Sequence, residues 1–342
     1  MKKTLYLMSS GRLKRKQNTL VLELPEPPDG NGPGHPKRKY FPIEQIQEIH
    51  AFGELDLNKR LLEFLSKNEI LLHFYNRRGY YVGSFYPREH YNSGHLVLKQ
   101  AEHYLDPGKR LALARKFVEG ALVNLVRVLR YYQNRGLEAE LAPAVETVER
   151  QRARLEGLGN VEQLMQAEGQ AREAYYRAFD VILNEEAFAF EARTRRPPQN
   201  RLNALISFGN TLLYTTTLSE IYKTHLDPRI GFLHATNFRR FTLNLDVAEV
   251  FKPVLVDRLV LSLVQKGQIR AKHFEEALGG LYLTEAGRRR FVEAWEKRLQ
   301  TTIYHRGLKR NVSYRRLIRL ELYKLEKHLL GERPYEPFRS RW

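Results

Sequence analysis

The sequence predicts an α+β fold, with a small N-terminal β-sandwich domain in residues 1–88 followed by a larger all-α domain in residues 89–342. Up to about residue 88 the chain consists of short runs rich in β-branched and aromatic residues, separated by turn signals. From about Ser93 onward, apolar residues recur at the i, i+3 and i+4 spacing of helices. A length of 342 residues is also typical of about two domains.

The N-terminal domain is predicted from runs that are typical of a β-sandwich. These runs are KTLYLMS, NTLVLEL, YFPIEQIQEIHAFG, EILLHFYN and YYVGSFYP. The segment from Pro25 to Lys39 is dense in Pro and Gly and is basic, which predicts a mobile loop. Residues 57–68 predict one helix. His50 and His73 lie inside apolar runs with no carboxylate pair nearby, so we interpret them as packed or edge histidines.

The C-terminal domain is predicted to be helical throughout, with a less regular region at 266–283. The predicted helices are 93–105, 107–134, 160–184, 201–225, 243–265, 284–304 and 312–330.

Charge and composition favour an anionic polymer as partner. The chain has 57 Lys plus Arg against 39 Asp plus Glu, a net charge of +18, and each neutralised phosphate releases condensed counterions. The alternative is a basic protein with a solvated surface. The absence of Cys excludes disulfides and thiolate metal sites. No apolar run reaches the ~20 residues of a membrane helix, and the apolar part of the N-terminus is too short for a signal peptide, which predicts a cytoplasmic protein without membrane attachment.

The segment from residue 231 to residue 258, GFLHATNFRRFTLNLDVAEVFKPVLVDR, is the strongest candidate site. Asp246 and Glu249 stand at i, i+3 spacing and share one helix face, where His234 can reach them. A hard cation held by carboxylates and His inside a positive rim is typical of enzymes that cut or join phosphodiesters. The basic residues around these acids are Arg239, Arg240, Lys252 and Arg258.

A further acid, Glu168, falls on the apolar stripe of its predicted helix. A buried carboxylate needs a partner, so we expect a cation there. Gly169 beside it would let a bulky ligand such as a sugar-phosphate backbone approach. The alternative is that Glu168 pairs with Arg172 at i+4.

Other motifs and clusters distinguish less well between possible functions. The chain has no G-x-x-x-x-G-K-[ST], no G-x-G-x-x-G after a strand, no H-E-x-x-H and no G-x-S-x-G, so nucleotide hydrolysis, dinucleotide chemistry, zinc proteolysis and serine hydrolysis have no support. Arg clusters interleaved with Tyr could bind nucleic acid and stack on unpaired bases, although helical Tyr residues more often pack in a core. These Tyr residues are Tyr175, Tyr176, Tyr214, Tyr314 and Tyr323, and the Arg clusters include 193–201, 288–290 and 315–319.

Four segments, AEGQAREAYYRAFD, LNALISFGNTLLY, DPRIGFLH and FTLNLDVAEVFKPVLVDR, resemble the CRISPR-associated adaptation integrase family, the universal first member of the CRISPR-associated proteins. The resemblance covers nearly the whole chain, including HFYNRRGYYVGSFYP and YRRLIRLELYKLEKHLL. It implies the same two domains, with the β domain in dimerisation and the helical domain in catalysis and DNA binding.

The resemblance implies that Glu168, His234 and Glu249 bind one divalent cation, Mg²⁺ or Mn²⁺, and that Asp246 supports catalysis. Many relatives carry Asp where this chain has Glu249. Tyr214 matches a Tyr placed near the DNA end, and Lys252 matches a basic residue near the scissile phosphate.

The implied reaction is insertion of spacer DNA into a CRISPR array, in which a 3′-hydroxyl attacks a phosphodiester at the edge of a repeat. Such spacer acquisition serves antiviral defence. The implied partners are double-stranded and branched DNA, a second copy of the chain, and a small ferredoxin-like second adaptation protein that joins two dimers into a heterohexamer. Two alternatives stay open: a structure-selective, metal-dependent DNA nuclease that does not integrate, and a non-catalytic architectural DNA-binding protein.

Overall fold

The computed structural model describes residues 2–25, 37–91, 93–236 and 241–341. The chain divides into two compact units, Met1–His90 and Tyr91–Trp342. The sequence placed the division at residue 88. Residues 26–36 of the predicted mobile loop lie outside the described part of the chain, and Arg38 and Lys39 at its end belong to a strand instead.

The first unit contains two four-stranded sheets and one α-helix in its described residues. One sheet has the order β1-β5-β7-β8 and the other the order β4-β3-β2-β6. In the first sheet β1, β5 and β7 run parallel and β8 is antiparallel to β7. The elements are β1 (Lys3–Leu7), β2 (Gly11–Lys16), β3 (Thr19–Glu23), β4 (Arg38–Pro42), β5 (Ile46–Ala51), β6 (Leu55–Asp56), α1 (Lys59–Lys67), β7 (Leu72–Tyr75) and β8 (Tyr81–Phe85).

Alternation along the strands directs one face of each sheet into a shared hydrophobic core. Ile49 and Leu72 from the first sheet, Leu13 and Leu20 from the second, and Leu61 from α1 all belong to this core and are buried. Asn58 begins α1 by accepting a hydrogen bond from the backbone N–H of residue 61, which satisfies a helix N-terminal donor.

The second unit is largely helical. Its helices are α2 (Gly94–Leu105), α3 (Pro107–Tyr132), α4 (Glu138–Ala153), α5 (Val161–Leu183), α6 (Arg201–Ile221), α7 (Leu243–Phe251), α8 (Arg258–Gln265), α9 (Glu285–Gln300) and α10 (Tyr314–Leu329), and a π-helical segment, Lys252–Asp257, joins α7 to α8. Two hairpins are formed by β9 (Phe274–Ala277) with β10 (Gly280–Leu283) and by β11 (Thr302–His305) with β12 (Arg310–Ser313).

The predicted fold class is confirmed, with two differences in the helical unit. The hairpins depart from an all-α domain: the first turns at Leu278 and Gly279, whose φ angles of 45° and 72° suit a tight two-residue turn. The sequence also missed α4, since Pro143 stands inside this helix and only a few of its side chains are buried, which leaves a weak pattern.

Within the described residues, no helix combines the length and the hydropathy that crossing a bilayer requires.

Close packing of α6 against the π-helical segment depends on Gly209. A Cβ atom at this position would lie 2.6 Å from Val256 Cγ1 and 2.9 Å from Phe291 Cζ. The side chain of Arg298 on α9 donates to the backbone carbonyl of Val254, at 2.8 Å, and so satisfies one carbonyl of this unusual winding. These contacts hold Lys252–Asp257 in place directly after α7, the helix that carries Asp246 and Glu249.

Substitution by Ala should have opposite effects on stability at two mid-helix glycines, Gly209 and Gly169. Gly209→Ala should lower the free energy of unfolding by about 1–3 kcal/mol, because overpacking forces its neighbours to move. Gly169→Ala, where no atom lies within 4 Å of the added Cβ, should raise it by about 0.5–1 kcal/mol through helix propensity. Urea denaturation of both variants measures the difference, and equal effects would show that Gly209 is not a packing requirement.

Candidate metal centre

Asp246 folds the loop that carries His234 onto α7. Its buried carboxylate accepts hydrogen bonds from the backbone N–H groups of Phe232, Leu233 and His234, at 2.5, 3.0 and 2.9 Å. It also contacts His234 Nδ1 at 2.8 Å. This contact holds Nδ1 as the donor and leaves Nε2 3.9 Å from Glu249 Oε1.

Glu249 lies one turn after Asp246 on α7 and is only 4% exposed. Its carboxylate contacts Arg172 Nη2 at 2.5 Å, Lys252 Nζ, and more distantly His234. Burial alone would raise the pKa of Glu249, but the positive charges of Lys252 and Arg172 outweigh it and lower the pKa to about 2. The carboxylate is therefore ionised at neutral pH.

Arg172 bridges the acids of two helices. Its Nε contacts Glu168 one turn earlier on α5, and its Nη2 contacts Glu249 on α7. Arg172 is 8% exposed, and although burial opposes its charge, the two carboxylates raise the pKa of Arg172 well above its usual value. The i+4 partner that the sequence offered for Glu168 is thus also the group that connects it to Glu249.

His234 and Lys252 complete the charged cluster. Burial would lower the pKa of His234, but its hydrogen bond to Asp246 and the charge of that acid outweigh burial and raise the pKa. The pKa of Lys252 is raised by Glu249, against burial. Lys252 Nζ also lies over the ring of Tyr214, 5.1 Å from its centroid, so Tyr214 borders the cluster.

The residues of the cluster suit a divalent cation. Two carboxylates and an imidazole oriented by a further carboxylate are a donor set that Mn²⁺ or Mg²⁺ accepts. In this structure Arg172 separates Glu168 from Glu249, and among the described residues the one group whose ligand atoms all lie within 4.8 Å of one another is a different one, Glu48, His50 and His73. A cation that binds Glu168, His234 and Glu249 must therefore take the place of the guanidinium.

Of the basic residues that were predicted to bind DNA, two lie outside the described residues and two contact other side chains of the protein. Arg239 and Arg240 lie outside the described residues. Arg258, the first residue of α8, places its guanidinium over the ring of Tyr131, 4.3 Å from the centroid. Lys252 is 7% exposed and directed at Glu249, so it belongs to the interior of the cluster.

Several Arg and Tyr residues of the helical unit serve packing. Glu220 on α6 is fully buried and is neutralised by Arg315 at 3.2 Å and Arg319 at 2.5 Å on α10. Tyr175 and Tyr314 are 0% and 3% exposed, which excludes stacking on bases in this conformation. These residues follow the packing alternative that the sequence left open.

Asp257 is a buried acid that sequence reasoning missed. It ends the π-helical segment and is fully buried. Among the described residues its two carboxylate oxygens have no hydrogen-bond partner, and the positive charges of Arg172 and Lys252 act on it. Burial raises its pKa to about 7, against the positive charges, which lower it. The signal that could have found it is a single acid after the apolar run of PVLV.

The chain is similar to known proteins over most of its length. It matches the family model described as CRISPR associated protein Cas1 over residues 5–297. It is 55% identical over 342 residues to the CRISPR-associated endonuclease Cas1 2 of Thermodesulfovibrio yellowstonii, covering 100% of both chains. The solved structure of a CAS1 protein from Thermotoga maritima is 51% identical and has a TM-score of 0.86, covering 98% of this chain and 99% of that chain.

The fold is shared with more distant proteins. A casposase bound to integration product has a TM-score of 0.86 at 21% identity, covering 99% of this chain and 93% of that chain. A chain of a Cas6-RT-Cas1–Cas2 complex has a TM-score of 0.83 at 18% identity, covering 100% of this chain and 36% of that chain. At these identities the likeness is one of fold.

The raised pKa of Asp257 predicts a pH-dependent stability. Between the unfolded pKa near 4 and the folded pKa of about 7, the unfolded chain loses a proton that the folded protein keeps, so stability falls as pH rises, by at most about 1.4 kcal/mol per unit. Asp257→Asn should lack this fall. In urea denaturation at pH 5 and pH 8, the free energy of unfolding of the variant relative to that of the wild type should therefore be higher at pH 8.

Glu293→Gln, on the exposed face of α9, is the control for this measurement and should leave the pH dependence unchanged. A constant difference between Asp257→Asn and the wild type at both pH values would contradict the raised pKa.

Proposed function

Because the chain belongs to the Cas1 family of CRISPR-associated proteins, we propose that it is a metal-dependent DNA endonuclease and integrase that inserts spacer DNA into a CRISPR array. A relative from Thermodesulfovibrio yellowstonii that matches it over the full length of both chains is named an endonuclease. The observation that supports the proposal most strongly is the bridge from Glu168 through Arg172 to Glu249, beside His234. A buried carboxylate and a partly buried one that share a single positive partner, next to an imidazole oriented by a third carboxylate, support a metal centre.

In this proposal Glu168, His234 and Glu249 bind the cation, and Asp246 holds His234 in the tautomer that presents Nε2. When bound, Mg²⁺ or Mn²⁺ would activate a hydroxyl and stabilise charge on the reacting phosphate. Neutral Nε2 and ionised carboxylates are the ligand forms required. The low pKa of Glu249 supplies one of these forms at neutral pH.

The reaction is a transesterification. The 3′-oxygen of spacer DNA forms a bond to a phosphorus at the repeat edge, the existing bond from that phosphorus to a 3′-oxygen breaks, and the proton lost by the attacking hydroxyl passes to the leaving oxygen through solvent. Lys252 contacts Glu249 and lies over the ring of Tyr214, which supports the proposal that Lys252 contacts the phosphate and Tyr214 the DNA end. Water as the attacker would give nuclease activity at the same centre.

The proposed partners are double-stranded and branched DNA, a second copy of this chain through the β domain, and a small ferredoxin-like second adaptation protein that completes a heterohexamer. A net charge of +18 supports the DNA partner. The fold shared with a chain of a Cas1–Cas2 complex supports the protein partner. A cytoplasmic location stays a prediction from the sequence.

Removing any proposed ligand should abolish strand joining. Glu168→Ala, His234→Ala and Glu249→Ala should each lower the integration rate with Mn²⁺ by at least about 100-fold, while duplex binding stays largely intact. Glu173→Ala is the matched control, since Glu173 lies on the same helix and pairs with Arg177 at 2.9 Å. Gel assays with labelled spacer DNA measure both steps.

A ligand variant that joins strands at the wild-type rate would remove that residue from the centre. Spacer DNA with a blocked 3′-hydroxyl separates integration from cleavage, because only joining needs that group. Cleavage that persists with blocked DNA, without joining of unblocked DNA, would favour a nuclease that does not integrate.

If a cation replaces the Arg172 guanidinium, removing that guanidinium should strengthen metal binding. Arg172→Gln leaves Glu168 and Glu249 without their shared partner, so Mn²⁺ should raise its melting temperature more than that of the wild type. Arg177→Gln on the same helix is the control, because Arg177 is exposed and pairs with Glu173 away from the cluster. Equal Mn²⁺ stabilisation of all three proteins would contradict competition for one place.

A further inference from the structure

A second cluster of potential ligands lies in the N-terminal unit, on the first sheet. Cross-strand pairing puts Tyr6, His50, His73 and Ser84 in one row across β1, β5, β7 and β8. Because β5 and β7 are parallel and directly paired here, the two imidazoles are neighbours, with ring centroids 4.9 Å apart. Glu48 lies two residues before His50 and therefore on the same face.

This face is opposite to the one that contributes Ile49 and Leu72 to the hydrophobic core. Nevertheless Glu48, His50 and His73 are all 0% exposed. An ionised carboxylate removed from water is costly unless it is paired or coordinates a metal. From the sequence, both histidines are interpreted as packed or edge residues. In the structure His50 and His73 are buried on interior strands. Glu48 was not predicted to be near them, because no helical or motif pattern marks it.

Each imidazole is oriented through its Nδ1 by a hydroxyl group. His50 Nδ1 is 2.7 Å from the Tyr75 hydroxyl, and His73 Nδ1 is 2.7 Å from Ser84 Oγ. Hydrogen bonds of this kind fix the ring and tautomer of metal-binding histidines. They leave Nε2 as the ligating nitrogen, and His50 Nε2 already lies 3.1 Å from Glu48 Oε1.

We propose that Glu48, His50 and His73 bind a structural Zn²⁺ ion inside the N-terminal unit. One ligand atom from each residue lies within 4.8 Å of the others. Ligands of a tetrahedral Zn²⁺ stand about 3.4 Å apart, given bonds of about 2.0–2.1 Å, so the Glu48–His50 pair already has nearly this spacing and His73 has a short distance to close. Imidazole and carboxylate are ligands that Zn²⁺ prefers.

The burial of the cluster makes the role structural. DNA phosphates cannot reach side chains that are fully buried, so this centre is separate from the one proposed for strand joining. A water molecule enclosed with the ion would supply the fourth ligand of a tetrahedral site. A bound ion would connect β5 to β7 and neutralise Glu48. The competing interpretation is a hydrogen-bonded network of these residues with Tyr75 and Ser84 and no metal.

The test uses a variant that lacks the three ligands proposed for the strand-joining centre, so that any metal bound belongs elsewhere. The full-length Glu168→Ala/His234→Ala/Glu249→Ala variant is stripped with chelator and titrated with Co²⁺ as a spectroscopic probe for Zn²⁺. We expect one equivalent to bind with the visible absorption bands of tetrahedral Co²⁺, Zn²⁺ to displace it, and Zn²⁺ to raise the melting temperature. Absence of the bands and of bound metal would overturn the proposal.

Further variants in this background locate the site. His73→Gln should weaken Co²⁺ binding by at least tenfold, and Tyr75→Phe, which keeps all three ligands but removes the hydroxyl that orients His50, should weaken it by about tenfold. His90→Gln, an exposed histidine of the same unit, should bind as the background does. If His73→Gln does not fold, Tyr75→Phe decides: binding equal to that of His90→Gln would overturn the assignment.

Discussion

The charge balance around Glu249 is the constraint on which the charged cluster between α5 and α7 depends. Glu249 is 4% exposed, so its carboxylate has to be matched by positive groups, and three parts of the chain supply them. Helix α5 brings Arg172, the π-helical segment brings Lys252, and the loop before α7 brings His234. Asp246 fixes that loop through three backbone hydrogen bonds. The packing of these helices therefore serves to bring compensating charges to one point.

The sequence predicted the two units and most of the helices, because strand alternation and helical spacing are local patterns. It could not predict α4, whose pattern is weak around Pro143, or the turn at Leu278 and Gly279. It indicated Glu168, His234, Asp246 and Glu249 as candidates through spacing and resemblance. It did not show that Arg172 reaches both α5 and α7 acids, since that contact joins residues 77 positions apart.

The number of basic residues along the sequence overstates the positive charge that is available to an anionic partner. Arg315 and Arg319 are separated by one helical turn, and they face the buried Glu220. Arg298 caps a backbone carbonyl, and Lys252 pairs with Glu249. The excess of 57 basic over 39 acidic residues is real. Part of the basic side chains nevertheless neutralises interior acids, so only the remainder is available to phosphates.

The wide winding of Lys252–Asp257 limits how this region can change in evolution. A residue gained or lost there would turn α8 by about 100° about its axis. The turn would move the residues that follow Asp257 and present different side chains to Gly209, whose close approach leaves no clearance. The length of this stretch is therefore constrained together with its buried side chains, and an alignment of relatives should be without gaps here even where identity is low.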